Sequence, residues 1–157
     1  MGRDTSLRER TGTFEVTSSA FGHGQRIPAD FTGDGKNVSP DLEWPRAPGC
    51  RSFALICDDP DAPTDEPFVH WVDFNLPADA TGTPEGVASA RGVNDFGHQG
   101  YDGPAPPPGH GTHHYHFKVY ALDRILDLEP GATKADVLGA MKGHVLSKGE
   151  LIGTYSR

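Results

Sequence analysis

Short apolar runs separated by segments rich in glycine and proline make up the pattern of hydrophobic and polar positions along the chain. Residues 52–58 form a nearly continuous apolar run bounded by Gly49 and Pro60, which predicts a buried strand. Residues 68–76 and 113–122 alternate with a period of two. This alternation predicts two further strands that each turn one face towards the core.

Two histidines fall on the apolar faces of the alternating strands. The predicted apolar face of the earlier strand holds Phe68, His70, Val72, Phe74 and Leu76. On the later strand, His113 shares a face with Tyr115, whereas His114 and His116 fall on the more polar face. We therefore expect His70 and His113 to be either hydrogen-bonded core histidines or hydrogen-bond donors in a pocket.

The other predicted elements are shorter. Residues 14–18 alternate and predict an edge strand, and residues 150–155 predict a last strand. Thr133 with Asp136 three positions later resembles a capping box at the start of one helix. A long irregular stretch, 77–112, precedes the histidine-rich strand. Several strands with one late helix indicate a mostly β fold of the sandwich type rather than alternating βαβ units.

Length and charge narrow the classes of partner. A chain of 157 residues predicts a single domain, 1–157, with a flexible tail at 1–10. A net charge of -8 and a pI of about 5.3 argue against binding to nucleic acid or to acidic membranes. The sequence shows neither a bilayer-spanning apolar stretch nor a secretory signal. We therefore expect a cytoplasmic protein in which Cys50 and Cys57 stay reduced.

An acidic turn follows the first predicted core strand. Asp58, Asp59 and Asp61 lie close together, and Pro60 and Pro63 restrict the backbone between and after them. The segment is either an ordinary polar turn or a rigid support that holds a carboxylate at the rim of a pocket.

The sequence offers little that indicates catalysis. Four histidines lie between positions 110 and 116, but the alternation separates His113 from His114 and the spacing does not match that of structural zinc sites. We expect no metal site and no cofactor. Nucleophile-elbow, HExxH and phosphate-loop motifs do not occur. We therefore predict that the protein is not an enzyme, with a small hydrolase that uses Asp59, His70 and His113 as an alternative.

Several short segments follow one another in an order that is more informative than any one of them. They are 39–44 (SPDLEW), 59–63 (DPDAP), 68–71 (FVHW), 75–77 (NLP), 100–104 (GYDGP), 106–111 (PPPGHG) and 113–115 (HHY). This ordered set resembles the phosphatidylethanolamine-binding protein family, also called the Raf kinase inhibitor-like family, from about Phe14 to Tyr155. The proline- and glycine-rich segment and the end of the chain resemble the prokaryotic branch of this family. The resemblance to that branch implies a homodimer.

The resemblance implies a fold and a set of site residues. The implied fold is an antiparallel β-sandwich with a short helical element near the C-terminus and an anion pocket at one end of the larger sheet. The implied ligand-binding residues are Asp59, His70, Pro107, His113 and Tyr115. The residues implied to form a structural turn are Pro60, Asp61 and Pro63.

A hypothesis for the pocket follows from these residues. His70 and His113 would donate hydrogen bonds to a phosphate or carboxylate, with further donation from the backbone N–H groups of Gly109 and Gly111. Affinity would then rise as the pH falls through about 6.5. His114 stands where the family has Arg, a residue we expect to brace the loop.

The predicted function is that of a non-enzymatic binding protein for a small anion, such as phosphate, phosphoethanolamine or a carboxylate. Regulation or inhibition of a kinase or protease is a further prediction, as is a homodimer. Besides the hydrolase, the remaining alternative is a dimeric structural protein with a vestigial pocket.

Overall fold

Seven strands and one α-helix occur in the part of the chain that the computed structural model describes, residues 12–157. The strands are β1 Gly12–Thr13, β2 Leu42–Glu43, β3 Ser52–Asp59, β4 Phe68–Pro77, β5 Gly82–Thr83, β6 His113–Leu122 and β7 Val145–Tyr155. The helix α1 is Lys134–Met141, and Ala29–Phe31 form a 3₁₀ turn. The predicted flexible tail at 1–10 lies outside the described residues.

Two sheets pack together, so the predicted mostly β sandwich is confirmed. The larger sheet has the order β1-β7-β6-β3-β4, and the smaller sheet pairs β2 with β5. All pairings are antiparallel except that of β1 with β7. Aromatic and aliphatic side chains of one face of the larger sheet form the main core, including Phe53, Leu55, Trp71, Tyr115 and Phe117.

The opposite face of the larger sheet is covered by α1. The predicted capping box is present, because Thr133 and Asp136 each accept a hydrogen bond from the backbone N–H of the other. Val137 and Met141 are buried against the sheet. Lys134 Nζ lies 2.7 Å from Oδ2 of the buried Asp58, which ties the first turn of the helix to β3.

The predicted edge strand at 14–18 is wrong, because the chain crosses between the two sheets there. The Phe14 N–H donates to the Lys148 carbonyl in the larger sheet. Three residues later, Thr17 pairs with Glu43 of the smaller sheet. The regular strand is only Gly12–Thr13 and Thr17 forms an isolated bridge, so the alternation in this stretch reflects a crossing segment.

A β-bulge in β4 interrupts the predicted alternation at His70. Cys57 pairs with Trp71 and Asp58 pairs with Val69, so His70 is an extra residue on β4. The prediction that residues 68, 70, 72, 74 and 76 share one face is therefore wrong. Val72 packs on the helix side, whereas the His70 ring contacts Tyr115 of the main core. Bulges of this kind redirect a side chain, here towards the end of the sheet.

Candidate ligand-binding site

Three neighbouring strands, β4, β3 and β6, begin or terminate at the same end of the larger sheet. Asp59 closes β3 and pairs with Phe68 at the start of β4, and His113 opens β6 on the other side of β3. Together with the turn and loop segments beside them, these strand ends enclose a cavity of about 210 Å³. Its lining consists of Asp59, Ala62, Pro63, Thr64, Phe68, His70, Phe96, Ala105, Pro106, Pro107, His113 and Tyr115.

A buried carboxylate orients one of the cavity histidines. His113 Nδ1 lies 2.6 Å from Asp59 Oδ2, and both side chains are almost completely buried. The other carboxylate oxygen accepts the N–H of Asp61 at 2.8 Å. Because an ionised carboxylate only accepts hydrogen bonds, Nδ1 of His113 carries a proton. Both oxygens of Asp59 are therefore engaged within the protein.

The second ring nitrogen of His113 contacts a histidine that the sequence analysis did not place in the site. His110 Nδ1 lies 2.7 Å from His113 Nε2, so one of these two nitrogens donates a proton to the other. His110 is exposed and lies three residues before His113. That short spacing across a glycine-containing turn was the only signal in the sequence.

His70 is held in one tautomer by the backbone. Its Nδ1–H donates to the carbonyl of Asp102 at 2.6 Å, because a carbonyl oxygen can only accept. Burial lowers the pKa of His70, although the bond to the Asp102 carbonyl opposes this effect. At neutral pH His70 is therefore neutral, and Nε2 is left as an acceptor. The predicted donation from His70 to an anion requires an added proton.

Tyr115 lines the same cavity. Its ring lies 5.2 Å from the His70 ring in an edge-to-face arrangement. Burial, together with the negative charge of Asp59, raises the pKa of Tyr115 well above its ordinary value. The hydroxyl therefore stays protonated and can donate a hydrogen bond at any physiological pH.

The acidic turn braces the start of β6. Asp61 Oδ2 accepts hydrogen bonds from the backbone N–H and from Nδ1 of His114, each at 2.8 Å. Although partial burial opposes it, hydrogen bonding from His114 lowers the pKa of Asp61. Pro60 lies within this turn, and Pro63 follows it as part of the cavity wall. His114 thus braces the loop at the position where the family resemblance led us to expect Arg.

The two glycines expected to donate backbone N–H groups do not line the cavity. The N–H of Gly109 already donates to the carbonyl of Arg157 at 3.2 Å, and Gly111 also lies outside the lining. Both have positive φ values, 79° and 97°, so they shape the turn that carries His110. Pro107, in contrast, lies in the wall as the resemblance implied.

The charge of the cavity is unusual for a simple anion site. Among the residues that the structure describes, neither Lys nor Arg lines it, and its fixed charge is that of Asp59. Arg157 is paired instead with Asp34 at 2.8 Å. Within residues 12–157, no three His, Cys, Asp or Glu side chains cluster so as to hold a metal ion. No helix in that range is long and apolar enough to cross a membrane.

Comparison with known proteins agrees with the order of motifs. The family model for phosphatidylethanolamine-binding protein matches residues 17–156. A UPF0098 protein of Methanothermobacter thermautotrophicus is 53% identical over 151 residues, which cover 90% of this chain and 98% of that protein. A solved homologue from Chlamydia trachomatis superimposes with a TM-score of 0.86 at 36% identity and covers 94% of this chain and 99% of its own.

A more distant structure has the same fold. The carboxypeptidase Y inhibitor, solved in complex with its cognate proteinase, gives a TM-score of 0.54 at 18% identity and covers 99% of this chain and 92% of its own. At that identity the likeness extends to the fold alone. The family model and the archaeal and bacterial relatives together show that the chain belongs to the phosphatidylethanolamine-binding protein family, in its prokaryotic branch.

Proposed function

We propose that the protein is a non-enzymatic binding protein whose cavity takes a phosphate or carboxylate group together with one proton. One observation carries this proposal: His70, whose Nε2 is left as an acceptor, and Tyr115, which carries a protonated hydroxyl, line the same small cavity with their rings 5.2 Å apart. A hydrogen phosphate or a carboxylic acid has the complementary pair, one hydroxyl that donates and one oxygen that accepts.

The electrostatics of the cavity favour uptake of a proton with the anion. Asp59 already contributes a negative charge, and no basic side chain of the described residues lines the cavity to offset a dianion. A proton placed between the ligand oxygen and His70 Nε2 removes one unit of repulsion, because like charges in a poorly solvated cavity interact strongly. The sequence-based expectation of tighter binding at lower pH is retained on this basis.

The geometry favours binding over hydrolysis. Asp59 and His113 resemble the orienting and basic members of a catalytic triad, but the remaining nitrogen of His113 is bonded to His110 rather than to a hydroxyl nucleophile. Burial raises the pKa of the Cys57 thiol well above its ordinary value, so this thiol is a poor nucleophile. The hydrolase alternative therefore lacks an activated nucleophile among the described residues.

Several finer parts of the sequence-based function stay predictions. The likeness to a protease inhibitor concerns the fold, so inhibition of a protease or a kinase by this chain stays a prediction. The homodimer, the single domain spanning 1–157 and the cytoplasmic location also stay predictions. A vestigial pocket is the alternative that a binding experiment decides.

Calorimetric titration tests the proposal. Inorganic phosphate and phosphoethanolamine are titrated at pH 6 and pH 7.5 into the wild type, His70→Ala and His144→Ala. His144 is the control because it is bonded to Asp123 at the opposite end of β6 from the cavity. Saturable binding that is lost in His70→Ala and kept in His144→Ala supports the cavity as the site. If the wild type binds neither ligand, the proposal fails and the vestigial-pocket alternative gains.

A further inference from the structure

An exposed aromatic side chain stands at the mouth of the cavity. Phe96 is 52% exposed, yet its ring lies 4.9 Å from the Phe68 ring at an angle of 74° and 5.7 Å from the His70 ring at 62°. Edge-to-face contacts of this kind fix the orientation of a ring. Phe96 therefore extends the wall of the cavity towards solvent and leaves part of its own surface uncovered.

Buried hydrogen bonds hold the turn that carries Phe96. The Asn94 side chain is buried, and its Oδ1 accepts the backbone N–H groups of Phe96 and His98 at 2.9 and 3.1 Å. Its Nδ2 donates to the Gly100 carbonyl at 3.0 Å and to Asp102 Oδ2 at 2.9 Å. A side chain that satisfies so many partners rigidifies the backbone around it. Phe96 is thus displayed from a fixed support.

A second attachment joins this turn to β4. Asp95 Oδ2 accepts the N–H of Val69 at 2.8 Å, and the N–H of Asp95 donates to the Val69 carbonyl at 2.9 Å. Val69 directly precedes His70 in the bulge of β4. The turn that carries Phe96 is therefore fixed to the strand that positions the His70 ring in the cavity. The distance between Phe96 and His70 is therefore set by the fold.

The wall above the polar floor is apolar. Besides Phe68 and Phe96, it consists of Ala62, Pro63, Ala105, Pro106 and Pro107, with Thr64 at one side. A volume of about 210 Å³ corresponds to about seven water molecules in the liquid, which is enough for an acidic group and the first few atoms attached to it. Anything larger on the ligand passes over Phe96 at the mouth.

We propose that Phe96 is a specificity residue and that the preferred ligand is an anion whose acidic group carries an apolar substituent, such as an aryl or alkyl ester of phosphate. This inference rests on the proposed function and adds the ligand class to it. The apolar substituent packs on Phe96 and the proline wall, while the acidic group reaches His70 and Tyr115.

Phenyl phosphate and methyl phosphate provide a matched pair of probes, since they share the acidic group and differ in the substituent. Calorimetric titrations use the wild type, Phe96→Leu, Phe96→Ser and Ile125→Ser. Ile125 is the control because it is 53% exposed and does not line the cavity. We expect the wild type and Ile125→Ser to bind phenyl phosphate about two- to tenfold more tightly than methyl phosphate, the range that an aromatic contact provides.

The Phe96 variants decide between the possible causes of this preference. Phe96→Ser should bring the ratio of the two dissociation constants to about one, and Phe96→Leu should keep part of the preference because it remains apolar. Equal, saturable binding of both esters by the wild type overturns this inference and leaves the proposed function standing. Binding of neither ester overturns both this inference and the proposed function.

Phosphoethanolamine separates an apolar contact from a contact with a cation. If it binds more tightly than phenyl phosphate in a way that depends on Phe96, the inference is overturned, because an ammonium group over the ring would then be the cause. An unchanged midpoint of thermal unfolding in each variant shows that the fold is intact.

Discussion

His113 Nδ1 lies 2.6 Å from Oδ2 of Asp59, and both side chains are withdrawn from solvent. Strand β3 pairs with β6. This pairing brings Asp59 and His113 together although they are far apart in the sequence. The contact fixes which nitrogen of His113 is protonated and thereby which nitrogen faces His110. The Asp59 carboxylate therefore has an orienting role.

The substitution Asp59→Asn should change the tautomer of His113. An Asn in this place presents one acceptor and one NH₂ donor to two N–H groups, so one of those groups loses its partner. We expect His113 to move its proton to Nε2, so that Nδ1 accepts a hydrogen bond from the Asn NH₂. The free energy of unfolding should fall by about 1 kcal/mol, because a hydrogen bond to a charged group is replaced by one between neutral groups. Nitrogen-15 chemical shifts of the imidazole report the tautomer. An unchanged tautomer in a folded variant would show that Asp59 does not orient the ring.

The stability of the protein should carry a signature of His70. Its pKa in the folded protein is lowered by burial, whereas in the unfolded chain it is ordinary, about 6.5. Between these two values the unfolded chain binds more protons, so the free energy of unfolding falls as the pH falls through about 6.5. Above that pH His70 is neutral in both the folded and the unfolded protein and does not change the free energy of unfolding. Below it, the free energy of unfolding falls progressively.

Comparison with His70→Gln isolates this contribution. From pH 7.5 to pH 5.5 the wild type should lose stability relative to the variant, with a ceiling of about 1.4 kcal/mol per unit of pH. Urea denaturation at several pH values measures the difference. Parallel pH profiles for the two proteins would contradict the lowered pKa of His70.

The loop that positions His70 tolerates no side chain at Gly103. A Cβ atom there would collide with the carbonyl of Phe31, which is backbone and cannot move aside easily. We expect Gly103→Ala to destabilise the fold by about 1–3 kcal/mol, as overpacking does, and to weaken ligand binding because the Asp102 carbonyl holds His70.

Gly139 provides the matched control for this substitution. It lies within α1, and a Cβ atom there would meet open space. Gly139→Ala should therefore stabilise the fold by about 0.5–1 kcal/mol through its better helix propensity, without an effect on ligand binding. Equal effects of the two substitutions in chemical denaturation would contradict the close packing at Gly103.

The regular parts of the fold could be predicted from the sequence because local periodicity determines them. β6 has the predicted bounds, and its buried residues alternate from His113 as the pattern indicated. The start of α1 was predictable from Thr133 and Asp136, since a capping box is a local signal. Where neighbouring residues alone determine the structure, the sequence pattern was sufficient.

Features that depend on pairing between distant segments were not predictable in this way. The bulge at His70 arises from the register of β4 against β3. That register cannot be predicted from the sequence of β4 alone. Phe96 reaches the cavity from a turn whose path is set by the contacts of Asn94, and His110 reaches His113 from a separate loop. The sequence motifs contained the polar cavity residues Asp59, His70 and His113, whereas Phe96 could be placed at the cavity only from the tertiary structure.

The measurement that tests the central claim most directly is the number of protons taken up when phosphoethanolamine binds. At pH 7.5 a phosphate monoester is mostly a dianion, since its second pKa is about 6, and His70 is neutral. Titrations in buffers with different ionisation enthalpies give the proton count from the slope of the observed enthalpy. We predict an uptake of about one proton in the wild type. Saturable binding in this cavity with an uptake of zero would contradict the account, because the ligand would then bind as a dianion beside Asp59 without the help of His70.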